Sequence, residues 1–173
     1  MKYRASAWVL FVALLLLGGS LPAIAHEGHH AKSLNAGTGS SAIDPQVLRA
    51  IQAYWEAFKA RSTEMLSRVV TSDLLVLEGT TKNISWQDFR DNHIGPEMKE
   101  WTQFSVKSWK VIRSEVVGGF AYVASESQYE IVTAKEHVDL VGTETFILVK
   151  NSHSSDWMIK HVHSSGKRAQ PKS

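Results

Sequence analysis

From Asp44 onward, apolar residues fall at positions that change period along the chain. Val47, Leu48, Ile51, Tyr54, Trp55 and Phe58 recur at three- and four-residue spacing. That is the stripe of an amphipathic helix, predicted to run to about Ala60. Asp44-Pro45 has the form of an N-cap followed by proline in the first turn. A short second helix is predicted over 62–69, with Met65, Leu66 and Val69 turned inward. Leu74-Leu75-Val76-Leu77-Glu78 reads as a strand ended by Gly79. Ser85 caps a third helix carrying Trp86, Phe89 and Ile94, which Gly95-Pro96 interrupts before Glu97 to Lys99. Strands are then predicted over 102–117, long enough to carry a bulge, over 120–133 after the Gly118-Gly119 turn, and over 138–150. A final strand runs from Trp157 to Ser164. Helices first and strands afterwards give an α+β class, with about three N-terminal helices packed on one curved antiparallel sheet in a single domain.

The final strand, Trp157-Met158-Ile159-Lys160-His161-Val162-His163-Ser164, alternates. Residues two apart share a face of a strand. Regular alternation therefore puts Trp157, Ile159, His161 and His163 on one side, like the floor of an apolar cavity ending in titratable groups.

Residues 1–25 have a different character. Lys2 and Arg4 precede an apolar run from Ala7 to Leu17, and Ala23-Ile24-Ala25 has the small-x-small form of a cleavage site. The run is short of the roughly 20 residues needed to span a bilayer. The sequence predicts a signal peptide over 1–25 and an exported protein, periplasmic or secreted, starting at His26 and without a membrane anchor. Residues 26–42 are rich in His, Gly and Ser, without apolar periodicity, and read as a flexible leader. The domain is expected over 43–166, with 167–173 as a polar tail.

Charge narrows the function classes. The whole chain has 19 Lys+Arg against 17 Asp+Glu. Residues 1–25 hold two of the basic residues and none of the acidic ones, so the remainder is formally neutral. The basic residues are scattered, which argues against nucleic acid as a partner. The absence of cysteine excludes disulfides, thiolate metal sites and cysteine nucleophiles.

The order and spacing of several segments carry a resemblance. These are Tyr54-Trp55-x-x-Phe58, Leu74-Leu75-Val76-Leu77, Trp86-x-x-Phe89 with His93-Ile94-Gly95-Pro96-Glu97, Ala121-Tyr122-Val123, Thr145 to Lys150, and the Trp157-x-Ile159-x-His161-x-His163-Ser164 ending. Over residues 44–165 the chain resembles the SnoaL-like branch of the nuclear transport factor 2-like superfamily. The resemblance implies a cone-shaped α+β fold whose inner wall is a pocket. Members of that superfamily include isomerases, cyclases, hydrolases, ligand-binding domains and association domains, so the fold does not name a reaction.

On this resemblance the last strand's inner face looks into the cone. His161 and His163 become candidate proton-transfer groups, since histidine titrates near neutral pH. His93, four residues after Phe89, is a candidate third member. Three imidazoles would suffice for a zinc or copper site with an open position. Glu126 is a tentative third catalytic group, although Tyr122 and Gln128 on its strand face also fit an ordinary exposed charge; Glu144 reads as exposed. The resembling isomerases use a pocket carboxylate as base, but the sequence has no clear match to their Tyr/Asp pair. Six tryptophans are many for this length, and most aromatics serve the core. Trp55, Trp86, Tyr129 and Trp157, with His93, are the candidates for lining a ligand cavity. In the leader, His26, His29 and His30 form a candidate copper or zinc site, to which the new amino terminus would contribute.

Three functions therefore stand as expectations. The first is an exported domain binding a small, largely apolar molecule in its cone, with histidine acid/base chemistry as an extension. The second is a periplasmic copper- or zinc-binding protein. The third is a non-catalytic association domain that forms a homodimer.

Overall fold

The computed structural model describes residues 43–152 and 154–170. The expectations placed on His26, His29, His30 and the proposed cleavage site lie outside these residues. The first helix, α1 (Pro45–Lys59), starts where the Asp44 carboxylate accepts from the backbone N–H groups of Gln46 and Val47. It buries Val47, Ala50, Ile51, Tyr54, Ala57 and Phe58. The second, α2 (Thr63–Ser67), is capped by Ser62 and buries Leu66. Met65, expected inward, is 39% exposed, because the helix stops after five residues and presents only one side chain to the core.

A third helical segment begins with α3 (Trp86–Phe89), capped by the Ser85 hydroxyl. It continues through a π-helical turn, Arg90–Ile94, into α4 (Gly95–Glu100). The turn has a sequence cause. Pro96 has no N–H to donate to the preceding turn, and the Gly95 N–H reaches back to the Arg90 carbonyl. A Cβ at residue 95 would sit 2.2 Å from that oxygen, so only glycine fits. The widened turn sets His93 and Glu97 side by side. Such π-bulges are often found at functional positions.

Among the described residues, six strands form one sheet in the order β2-β1-β6-β5-β4-β3. They are β1 (Val70–Glu78), β2 (Thr81–Asn83), β3 (Trp101–Val117), β4 (Phe120–Thr133), β5 (His137–Lys150) and β6 (Trp157–Arg168). The expectation of an antiparallel sheet needs one correction: β1 and β6 run parallel, so the sheet is mixed. Helical chain between β1 and the later strands lets β6 enter beside β1 in the same direction. β2 is too short for its alternation to be legible in the sequence. β6 runs past the expected end of the domain, and the Ala169 N–H bonds the Asp139 carbonyl at 2.9 Å.

The curl of the sheet comes from bulges. Against the 14 residues of β4, β3 has 17, with register shifts between Trp101/Gln103, Val106/Ser108 and Val111/Arg113. Each extra residue bends and twists the strand, so the inner-facing positions step as Trp101, Phe104, Val106, Trp109, Val111 and Ser114. The helices cover that inner face, and α1 contacts both β3 and β6.

Candidate functional site

The inner wall divides into two ends. At the narrow end, Val123, Phe146, Leu148 and Ile159 have no solvent exposure and Val162 is buried among them. Phe146 meets Tyr54 edge-on at 5.7 Å between ring centroids. At the wide end, Val106, Trp109, Val111, Tyr129 and Ile131 also face inward, by register, but remain only half-buried. Trp55 from α1 faces them. Its ring stacks with Phe104 at 6.1 Å and 10° and tilts toward Tyr129 at 6.2 Å. The wide end is therefore an aromatic wall still open to water.

Glu144 lies where the two ends meet. It pairs in register with Ser125 on β4 and Ser164 on β6, on the same face as Phe146 and Leu148. The carboxylate is buried, at 5% exposure. The Ser125 hydroxyl donates to Oε2 at 3.0 Å, and the Ser127 hydroxyl donates to Oε1. Burial pushes the Glu144 carboxyl above the usual range, and the two serine hydroxyls hold it partly back. Tyr54 and Tyr129 are raised by burial first and then by the charges of Glu78 and Glu144. Glu78, Glu144 and the two phenols thus share one electrostatic neighbourhood. Among the described residues, no Lys or Arg pairs with Glu144.

The π-helical turn adds a second cluster at the edge of this wall. His93, 7% exposed, donates from Nδ1 to Asn83 Oδ1 at 2.7 Å. Its Nε2 faces Glu97 Oε1 at 3.1 Å and Glu78 Oε2 at 3.4 Å. Asn83 is held in turn by Asp88 Oδ2 at 3.2 Å. Burial works against the charged imidazole, but hydrogen bonds to Glu78 and Glu97 and their charges outweigh it and raise the pKa to about 9. Burial raises Glu97 in the opposite sense, with His93 pulling it down. His93 is therefore an imidazolium with acceptors on both nitrogens, a clamp between the helical segment and β1 rather than an available base.

The last strand departs most from its expected geometry. β6 carries a bulge at Lys160: Ile147 pairs with His161, and the next pair is Leu148 with Ile159. The inner-facing positions are therefore Trp157, Ile159, Val162 and Ser164. His161 and His163 turn to the outer face, where His163 is exposed. His161 bonds through Nδ1 to the Leu75 carbonyl at 3.0 Å, next to an irregularity in the β1–β6 ladder. Their assignment to the cone wall is corrected. With His93 on the inner side and the other two on the outer, the three-imidazole metal site is not assembled.

Glu126 also lies on the outer face, about half exposed and paired with Lys110 at 3.3 Å, and not in the cone. Trp157 is 4% exposed and serves the core, with Lys150 Nζ 5.3 Å from its ring centre. Trp86 is half-buried and its ring meets Phe89 at 6.4 Å, beside the His93 clamp. Trp55 and Tyr129 lie on the inner wall, half-buried. Glu144, expected to be exposed, is the site residue that sequence reasoning missed. The signal was present: it shares parity with Phe146 and Leu148.

One other potential cluster, Glu130, His137 and Asp139, lies on the outer face. Lys107 already occupies the Glu130 carboxylate there. A shallow groove of about 450 Å³ also opens on that side, beside Ser108, Glu126, Gln128 and Lys167, without a buried titratable group on its outer-facing side chains.

No known sequence family matches the chain, and no curated protein matches it. Solved structures do match in fold. An NTF2-like superfamily protein from Salmonella enterica superposes with a TM-score of 0.62 at 16% identity, covering 73% of this chain and 92% of that one. A ketosteroid isomerase-like protein from Erwinia carotovora atroseptica gives 0.59 at 16% identity, covering 72% and 95%. A conserved protein from Planctomyces limnophilus gives 0.62 at 12%, again covering 72% and 95%. The chain has the nuclear transport factor 2-like fold.

Proposed function

We propose that the chain is an exported small-molecule-binding domain of the SnoaL-like kind, with its ligand held against the Trp55–Phe104–Tyr129 wall and Glu144 as its proton-transfer group. The signal-like composition of residues 1–25 supports export. The observation that carries the binding reading is Glu144 itself, a buried carboxylate without a cationic partner among the described residues, at the foot of a half-exposed aromatic wall. A carboxyl group with a raised pKa in an apolar site is suited to taking or giving a proton near neutral pH. The NTF2-like fold accommodates such pockets, and one structural neighbour is described as ketosteroid isomerase-like.

A thermal-shift screen of the full chain with small aromatic compounds tests this reading. At least one compound is expected to raise the melting temperature. Glu144→Gln is expected to weaken that ligand about tenfold or more, roughly the 1.4 kcal/mol of one charge-assisted hydrogen bond. A ligand held equally well by the Gln variant would place the site elsewhere.

A second reading, homodimerisation, has its own support on the outer face. Leu75, His161, Ile147 and Tyr122 align in one cross-strand row. Met158, Val149, Phe120 and Val117 align in the next, with Phe120 60% and Val117 66% exposed. A contiguous apolar sheet face of this kind marks an interaction surface, and a second copy of the chain would cover it symmetrically. Light scattering is expected to report a dimer, and Phe120→Glu to give a folded monomer. A monomeric parent chain would end this reading.

A further inference from the structure

We infer that the Trp55–Phe104–Tyr129 wall, with Glu144 at its foot, selects an organic ammonium ion with an aromatic or alkyl body. This rests on the small-molecule reading above and names its ligand class. Three observations converge on it. First, the carboxylate at the foot of the wall has hydroxyls for partners: Ser125 and Ser127 donate to Glu144, and no Lys, Arg or His of the described residues pairs with it. A buried carboxylate is normally paired with a cation or protonated. A ligand that brings the positive charge would complete the site.

Second, the surrounding charge has the same sign. Glu78 and Glu97 lie on the same side, and the charges of Glu78, Glu144 and Glu97 all act on Tyr129. His93 is shared between Glu78 and Glu97, so one imidazolium faces two carboxylates before Glu144 is counted. An anionic ligand would meet repulsion here.

Third, the wall consists of rings. Trp55, Phe104 and Tyr129 lie within 6.2 Å of one another, centroid to centroid, and Trp55 and Tyr129 keep part of their surface open. The faces of such rings attract ammonium groups, tryptophan most strongly. The chemistry of carboxylate and rings together is that of amine recognition, and it narrows the small, largely apolar ligand expected from the sequence.

The test compares three probes of similar shape and different charge: phenethylammonium, phenethyl alcohol and hydrocinnamate. Each is titrated by calorimetry into the full chain at neutral pH. Phenethylammonium is expected to bind about tenfold or more tightly than phenethyl alcohol, a ratio that one buried charge contact readily supplies. Hydrocinnamate is expected to be the weakest of the three. Glu144→Gln should collapse the ratio between cation and alcohol toward unity, the cation losing distinctly more affinity than the alcohol. Because that ratio is measured within one variant, a loss of folded protein does not imitate it. Trp55→Leu should likewise weaken the cation more than the alcohol.

A wall that holds the alcohol as tightly as the cation, as a permanently protonated Glu144 would make it do, overturns the inference and leaves the small-molecule reading standing. Preference for hydrocinnamate overturns it in the same way. If none of the three probes binds, both the inference and the reading beneath it fall.

Discussion

Phe146→Ala is expected to destabilise the protein by about 3–5 kcal/mol, the usual cost of removing a fully buried phenyl ring from a core that relaxes only in part. Phe146 has no solvent exposure, and its ring contacts both Tyr54 and Trp55. It closes the narrow end of the cone one inner-facing position from Glu144. The loss should appear in urea melts as a lower midpoint with an unchanged slope. A cost below about 1 kcal/mol would mean that the narrow end is not packed as described. The half-buried Val106 at the wide end provides the contrast: truncating it to alanine should cost distinctly less, because a half-exposed side chain has less burial to lose.

The second large effect is a dependence of stability on pH. The His93 imidazole has an ordinary pKa of 6.5 and is raised to about 9 in the folded protein. A folded-state pKa above the unfolded value means that the folded state binds the proton more tightly. The stabilisation is then fully present below pH 6.5 and is lost as pH rises through 9. The full shift corresponds to about 3 kcal/mol. The Glu78 side chain is 39% exposed, so water screens part of the contribution, and about 2 kcal/mol is expected. Urea melts between about pH 6.5 and pH 9 should show this decline, and His93→Gln should flatten it. A parent protein whose stability stays level across that window would contradict the clamp.

Most of the fold was legible because long amphipathic segments announce themselves. The stripe from Val47 to Phe58 and the alternation in 120–133 correspond to α1 and β4. The misplacement of the two histidines has one physical origin, the β-bulge. A strand read at strict period two assigns His161 and His163 to the face of Ile159. One extra residue at Lys160 moves them to the other side and brings Val162 inward. β3 repeats the step three times, with apolar residues at Trp101, Phe104, Val106, Trp109 and Val111. The same three-two rhythm is present in Trp157-x-Ile159-x-x-Val162, where two histidines drew attention away from the valine.

Glu144 was hidden differently. Charged residues seldom occupy inner faces without a partner, so its type outweighed its parity with Phe146 and Leu148. The partners that make the position tenable, Ser125 and Ser127, lie on a neighbouring strand and come together only through the β4–β5 register. The His93 clamp was half visible. Its four-residue spacing to Glu97 and the Gly95-Pro96 break are local, whereas Glu78 and Asn83 reach it across the fold.

The most direct test of the binding wall is the indole N–H region of a nitrogen–proton correlation spectrum, in which the five tryptophans of the described residues report from different places. Phenethylammonium is titrated into the labelled full chain, with phenethyl alcohol and hydrocinnamate as further probes. The account predicts that the signals of Trp55 and Trp109, both on the inner wall and only half-buried, move together on binding. Trp157, sealed in the core at 4% exposure, should stay in place. Shifts confined to residues of the outer face, with Trp55 and Trp109 unmoved by any probe, would contradict it.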